Sequence, residues 1–278
     1  MNKTFSLIKL ERFPNYVTHI QLNRPQKFNA LNMIIWKEIG DVFKILANDE
    51  NTRVIVLSGN GKHFCSGIDL FDIQKAFSNS EMNDLDSARR GRRLRNHILE
   101  LQSHFNSIEE CLKPVIVVTH GFCLGAGIDM ITACDIRLST NDVTFSVKEV
   151  DIGMAADVGT LNRLPKIVGN EGWVKEICFT GRNFDSNEAL KNGFVNEVHQ
   201  DKNACLKRAF QIANLIGSKS PVAVQGTKAV LNYARDHSVK ESLEYVANWN
   251  ASQLNTDDLI ESIAAFISKN GNPQYAKL

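Results

Sequence analysis

No stretch of this 278-residue chain is continuously apolar over the roughly 18 to 20 residues that a membrane-spanning helix needs, so no membrane insertion is expected. Charge of one sign is also missing. Lys plus Arg number 32 and Asp plus Glu 31, which gives no general attraction to nucleic acid or to an anionic bilayer. The six cysteines (Cys65, Cys111, Cys123, Cys134, Cys178, Cys205) form no C-x-x-C and accompany no H-x-x-x-H. That spacing disfavours a zinc site and a disulfide framework alike, and it fits a reducing compartment. There is no low-complexity linker and no repeat of fixed period. The N-terminal MNKTFSLIKLERF has neither a signal-peptide core nor an Arg-rich transit pattern, so the chain is expected to begin where its fold begins. None of the tyrosines (Tyr16, Tyr233, Tyr245, Tyr275) has a lysine four residues on, which leaves the glycine-rich loop discussed below without a dehydrogenase partner.

With 43% hydrophobic and 23% charged residues, the chain can bury one large core, with or without a smaller appendage. FSLIKL and YVTHIQL read as strands joined by a turn at ERFPN. Leu31, Ile34, Ile35, Ile39, Val42, Phe43 and Leu46 fall on one helical stripe, and Leu94, Ile98, Leu101, Phe105 and Ile108 mark a long amphipathic helix. VIVLSG and PVIVVTHG are the continuous apolar runs of strands covered on both faces. Strands alternating with helices predict an α/β fold. Beyond about residue 200 every segment reads as helix, so residues 1–200 are expected to form the core and 201–278 a helical region.

Three loops could carry chemistry. HFCSGIDL (63–70) places Ser66 and Gly67 between an apparent strand end and a helix start near Asp69, where free N–H groups can bind a polarised oxygen; an ordinary turn capped by Asp69 is the plainer reading. HGFCLGAGIDMITACD (120–135) spaces Gly121, Gly125 and Gly127 as G-x-x-x-G-x-G, a weak dinucleotide signal that arrives 120 residues too late for a first βα unit. SVKEVDIGMAADVGT (146–160) gathers Glu149, Asp151 and Asp157 around Met154, Ala155 and Ala156. Singly, Asp157 reads as a helix N-cap, Glu149 as a solvated partner of Lys148 and Asp129 as a helix-surface acid.

Together, NRPQKFNALN, HFCSGIDL, PVIVVTHGFCLGAGIDMITACDIRLS, FSVKEVDIGMAADVGTLNRLPKIVG and FTGRNFDSNEALKNGFVNEV resemble, in order and spacing, the crotonase superfamily of enoyl-CoA hydratases and isomerases. The resemblance runs from about residue 5 to 270. Through KEVDIGMAADVGTLNRLP and SKSPVAVQGTKAVLNYARDHSVKESLEYVANWN it leans toward the Δ3,5-Δ2,4-dienoyl-CoA isomerase branch. It implies a crotonase-like spiral of ββα units with a C-terminal helical region for trimerisation, as a homotrimer or a homohexamer. It also implies an acyl-CoA thioester as substrate, with no metal and no cofactor beyond the CoA that the substrate brings.

Carried over residue by residue, the resemblance puts the N–H groups of Ser66 and Ala126 in an oxyanion hole, with Gly67, Ile68, Asp69, Leu70 and Gly127 in the surrounding substrate loops. Ala126 stands where the family usually has glycine. Asp129 and Glu149 occupy the two acidic positions, and Asp157 a position that dienoyl-CoA isomerases fill with aspartate. The implied reaction moves conjugation from a 3,5-diene to a 2,4-diene in fatty-acid β-oxidation: Glu149 takes a proton from C2 and Asp157 delivers one to C6. An apolar wall of Met154, Ala155 and Ala156 would raise the Asp157 pKa, while Asp129 tunes Glu149. A 2-enoyl-CoA hydratase is the enzymatic alternative, and a non-catalytic binding protein of the same fold the other. For the latter the only basic cluster is RRGRRLR (89–95), equally suited to a solvated helix face or a CoA phosphate contact. The terminal Ala276-Lys277-Leu278 resembles a peroxisomal signal, which implies an import receptor as partner and the peroxisome as address, with cytosol or mitochondrion otherwise.

Overall fold

β1 (Ile8–Phe13) and β2 (Val17–Leu22) form an antiparallel hairpin that pairs Ile8 with Leu22 and Phe13 with Val17. The strand absorbs Glu11 to Phe13, which sequence alone gives to the turn. The reversal itself is confined to Pro14, Asn15 and Tyr16, the last two at positive φ, a conformation asparagine tolerates well. The computed structural model describes residues 4–77, 84–269 and 273–278.

From the hairpin the chain runs through α1 (Met33–Ala47), β3 (Val54–Gly59), α2 (Leu70–Phe77) and α3 (Ser87–Glu110). It continues through β4 (Val115–Thr119), β5 (Phe122–Leu124), α4 (Ala126–Thr132), β6 (Ile136–Thr140) and β7 (Thr144–Ser146). A 3₁₀ turn at Glu149–Ile152 leads to α5 (Thr160–Ile167), α6 (Glu171–Thr180), β8 (Phe184–Asp185), α7 (Ser186–Lys191) and β9 (Glu197–His199). Four helices close the chain: α8 (Lys202–Gly217), α9 (Pro221–Ala234), α10 (Val239–Gln253) and α11 (Asp257–Ser268).

The main sheet has the order β1-β2-β3-β4-β6-β9, parallel after the first pair, and a small sheet follows the order β5-β7-β8. β3 shows why the apolar runs are continuous. Ile55 and Leu57 face the core with Trp36, Ile39 and Phe105, whereas Val54 and Val56 face α8 with Cys205, Ala209 and Ala213. The two-residue period of a strand thus feeds two apolar layers, and full burial of each such side chain is worth about 1.5–3 kcal/mol. The Trp36 and Phe105 rings stack at 4.8 Å and lock α1 to α3. This rigid platform ends at Gly59 and Thr119, and the loops beyond those two parallel strand ends carry the candidate site.

α8 belongs to the sheet as its outer cover. Farther on, α10 has no buried residue, and Val239, Leu243, Phe266 and Ile267 are exposed, Phe266 at 87%. The terminal residues lie against the body: the buried Arg53 donates to the carbonyls of Tyr275 at 2.7 Å and Ala276 at 3.0 Å, and Lys277 Nζ donates to Asn51 Oδ1 at 2.6 Å. Leu278 remains exposed. All six cysteines are buried free thiols.

Candidate active site

The loop after β3 is laced to β5. Cys65 N–H donates to Phe122 O at 2.9 Å and Leu124 N–H to Cys65 O at 3.0 Å. On its other side the loop meets the segment before α1, where Leu31 N–H donates to Gly67 O at 2.8 Å and Asp69 N–H to Leu31 O at 3.0 Å. Gly67 adopts a φ of +92°, and a Cβ there would stand 3.1 Å from Leu124 O, so glycine is what lets the two loops meet.

Ser66 is a correction to the expected oxyanion hole: its N–H is already held by Phe28 O at 3.0 Å. Among the described residues, the N–H of Ile68 and the N–H of Ala126, at the start of α4, have no acceptor. These two donors lie on the touching loops. Asp69, which the resemblance puts in the substrate loop, is engaged by its neighbours. Arg24 Nη1 donates to its Oδ2 at 2.7 Å and Phe71 N–H to its Oδ1 at 3.1 Å, and the Arg24 hydrogen bond holds its carboxyl below the usual range. Leu70 beside it is exposed, and Gly127 is buried with its Cα facing Cys65.

The three acids come together. Asp129, on α4, is wholly buried; Thr160 N–H donates to its Oδ1 at 2.5 Å, and Oδ2 has no partner among the described residues. Burial pushes its pKa up to about 6, which overturns the reading of a helix-surface acid. Glu149 starts the 3₁₀ turn, is 5% exposed and leaves Oε2 unpartnered. Its pKa rises to about 7, first through burial, then through the negative charges of Asp129 and, more weakly, Asp157. Lys148 does not relieve it, since that ammonium donates to Asp151 at 2.9 Å and to Gly181 O at 2.7 Å. A Cβ on Gly125, where φ is +51°, would sit 3.2 Å from Glu149 Oε1, so the carboxylate lies close to the residue that leads into α4.

Asp157 is not a helix cap. α5 starts at Thr160 with Gly159 in the capping position and no side-chain cap. The Asp157 carboxyl is half-buried, with its pKa raised by burial and pulled back by His97. Gln102 Nε2 holds its backbone carbonyl at 2.6 Å, a contact from α3 that no sequence signal marks. The apolar wall is built differently from expectation, because Ala155 is exposed while Ala156 and Val158 are buried. The RRGRRLR arginines are exposed along α3.

A buried carboxyl group with no cation to neutralise it, a second acid whose charge reaches it and two free N–H donors on touching loops are groups suited to moving a proton along a carbonyl-activated chain. The sequence model of the enoyl-CoA hydratase/isomerase family matches residues 12–277. The chain is 48% identical to the mitochondrial Δ3,5-Δ2,4-dienoyl-CoA isomerase of Mus musculus over 95% of this chain and 80% of that one. It is 43% identical to the peroxisomal Δ3,5-Δ2,4-dienoyl-CoA isomerase of Arabidopsis thaliana over 99% of this chain and 98% of that one. Among solved structures, a putative enoyl-CoA hydratase from Streptomyces coelicolor superposes with a TM-score of 0.87 at 26% identity, covering 99% of this chain and 96% of that one.

Proposed function

The chain belongs to the enoyl-CoA hydratase/isomerase family, and we propose that Glu149, Asp157 and the N–H groups of Ile68 and Ala126 run its isomerisation of 3,5-dienoyl-CoA to 2,4-dienoyl-CoA. The enzyme acts on an acyl-CoA in fatty-acid β-oxidation. Glu149 removes a proton from C2, which breaks the C2–H bond and delocalises the electron pair into the thioester carbonyl and along C2 to C6. The Ile68 and Ala126 donors hold the resulting oxyanion, each worth roughly 2.7–4 kcal/mol in a site without water. Asp157 then gives its proton to C6, and the double bonds come to rest at C2–C3 and C4–C5. Glu149 ends protonated and Asp157 ionised, and exchange with solvent resets both.

The observation that carries this reading is that Asp157 is released from capping and borders the buried Asp129 and Glu149 pair. Hydration would have no use for an acid near C6. A Glu149 pKa of about 7 suits a base that works at neutral pH, and Asp129 supplies part of that shift. Asp157, raised by burial, loses further hydration when an apolar acyl chain covers it, which favours its protonated form.

Two assignments extend this reading. The exposed apolar side chains of α10 and α11 support self-association into a trimer or hexamer. The named relatives are mitochondrial or peroxisomal proteins, and Ala276-Lys277-Leu278 supports the peroxisome for this one, through an import receptor that reads the terminal residues. The direct test of the reaction is to supply purified protein with a 3,5-dienoyl-CoA and follow the ultraviolet band of a diene conjugated to the thioester. The band should grow. Its absence, with brisk hydration of a 2-enoyl-CoA, would overturn the assignment.

A further inference from the structure

Thr160 is fully buried at the first position of α5, and its backbone N–H is committed to Asp129 Oδ1 at 2.5 Å. Its hydroxyl is buried without a partner among the described residues, and so is the other carboxylate oxygen of the same aspartate, Oδ2. A hydroxyl hydrogen rotates freely about its C–O bond. With the backbone N–H of Thr160 fixed on one oxygen, its hydroxyl and the free Oδ2 are left as two buried, unpartnered polar atoms on residues already in contact.

We propose that Thr160 is a positioning residue for the proton transfer, its hydroxyl donating to Asp129 so that this buried aspartate stays ionised and fixed beside Glu149. The inference rests on Glu149 being the base. Most of the titratable groups that act on Asp129 are acids or thiols. Cys65 and Cys123, from the loop after β3 and from β5, are thiols with raised pKa values; Glu149 and Asp157 are acids; Cys178 on α6 is another raised thiol. Among the described residues, Arg163 on α5 is the cation that acts on Asp129, and its guanidinium is engaged by Glu109 at 2.7 Å. The backbone N–H of Thr160 and its hydroxyl, once turned toward Oδ2, are therefore what favour the charged form of Asp129 most. The charge then propagates: an ionised Asp129 keeps a proton on Glu149 to higher pH and makes Glu149 a stronger base once that proton is lost.

The test compares Thr160→Val, which keeps shape and backbone N–H but removes the hydroxyl, with Thr160→Ser, which keeps the donor. The pH profile of isomerisation in the wild type should have an acidic limb set by Glu149. In Thr160→Val, Asp129 becomes neutral more readily, so the limb should move to lower pH by about half a pH unit or more, with a lower plateau. Thr160→Ser should retain the wild-type limb. A purely structural role would lower activity at all pH values without moving the limb, and that result overturns the proposal. Thr160→Ala provides the same measurement should the valine variant fail to fold. Glu149→Gln separates the levels of inference. Undiminished isomerisation in that variant would overturn the base assignment, whereas an inactive Glu149→Gln beside an unmoved Thr160→Val limb overturns the role of Thr160 alone.

Discussion

Asp157→Asn is the most informative single change, because the structure fixes what it leaves intact. The side chain caps no helix, and the contact that places residue 157 is made by its backbone carbonyl to Gln102 at 2.6 Å. An amide of nearly the same shape on this half-buried site should keep stability within about 0.5 kcal/mol. The Glu149 carboxylate and the Ile68 and Ala126 donors are untouched, so removal of the C2 proton should persist. Delivery at C6 loses its acid, and losing a general acid costs about 10²- to 10⁴-fold, or roughly 2.7–5.4 kcal/mol in barrier. One preparation should be assayed twice: deuterium exchange at C2 by mass spectrometry, and diene formation by ultraviolet absorbance. Exchange should survive while isomerisation collapses. Near-normal isomerisation would refute the two-acid mechanism, and an equal loss of both activities in a folded protein would refute the division of labour.

Further expectations follow from the same geometry. Ala126→Pro deletes one free N–H at the first position of α4, where proline is tolerated; kcat should fall about 10²- to 10³-fold with little change in thermal midpoint, and a retained kcat would remove Ala126 from the oxyanion hole. Glu149 and Asp129 both have pKa values raised by burial, so their contribution to stability is complete below the unfolded values and is lost as pH rises through about 6 to 7. The wild-type melting temperature should therefore fall between pH 5 and 8 by more than that of an Asp129→Asn, Glu149→Gln double variant, as scanning fluorimetry can check. Deleting Ala276 to Leu278 should leave isomerase activity intact and turn punctate peroxisomal staining diffuse; unchanged staining would remove the address. Sedimentation should give a multiple of three subunits, and a stable, active monomer would count against the assembly.

Much of the fold is legible in the sequence because its signals are periodic. The stripe through Ile35, Ile39, Val42 and Phe43 becomes the buried face of α1, and VIVLSG becomes a strand covered on both sides. The three acids are legible only as a constellation. Asp129 read alone belongs to a helix surface, yet α4 is buried all round, a fact set by the loops and sheet that surround it. Ser66 shows a different limit. Which N–H of the 65–69 segment is free depends on a long-range partner, the Phe28 carbonyl, and on the reversal at Gly67, and neither is encoded in the local spacing. Gln102 and Thr160 are invisible for a related reason, since each makes its contact across elements and far along the chain.

Two of the buried thiols lie where they can report on the loops of this site. Cys65 and Cys123 lie opposite each other in a parallel bridge behind the two donor loops, and burial pushes the Cys65 pKa up to about 12 and that of Cys123 well above its ordinary value. The thiolate is the species that alkylates, so at neutral pH the closed protein offers a reagent almost nothing to attack. Because Cys65 N–H donates to Phe122 O and Leu124 N–H to Cys65 O, reaching these two sulfurs should require parting the 63–67 segment from β5, next to the Ile68 and Ala126 N–H groups. Labelling rates at Cys65 and Cys123, followed with and without acyl-CoA, would report directly how often these two loops part.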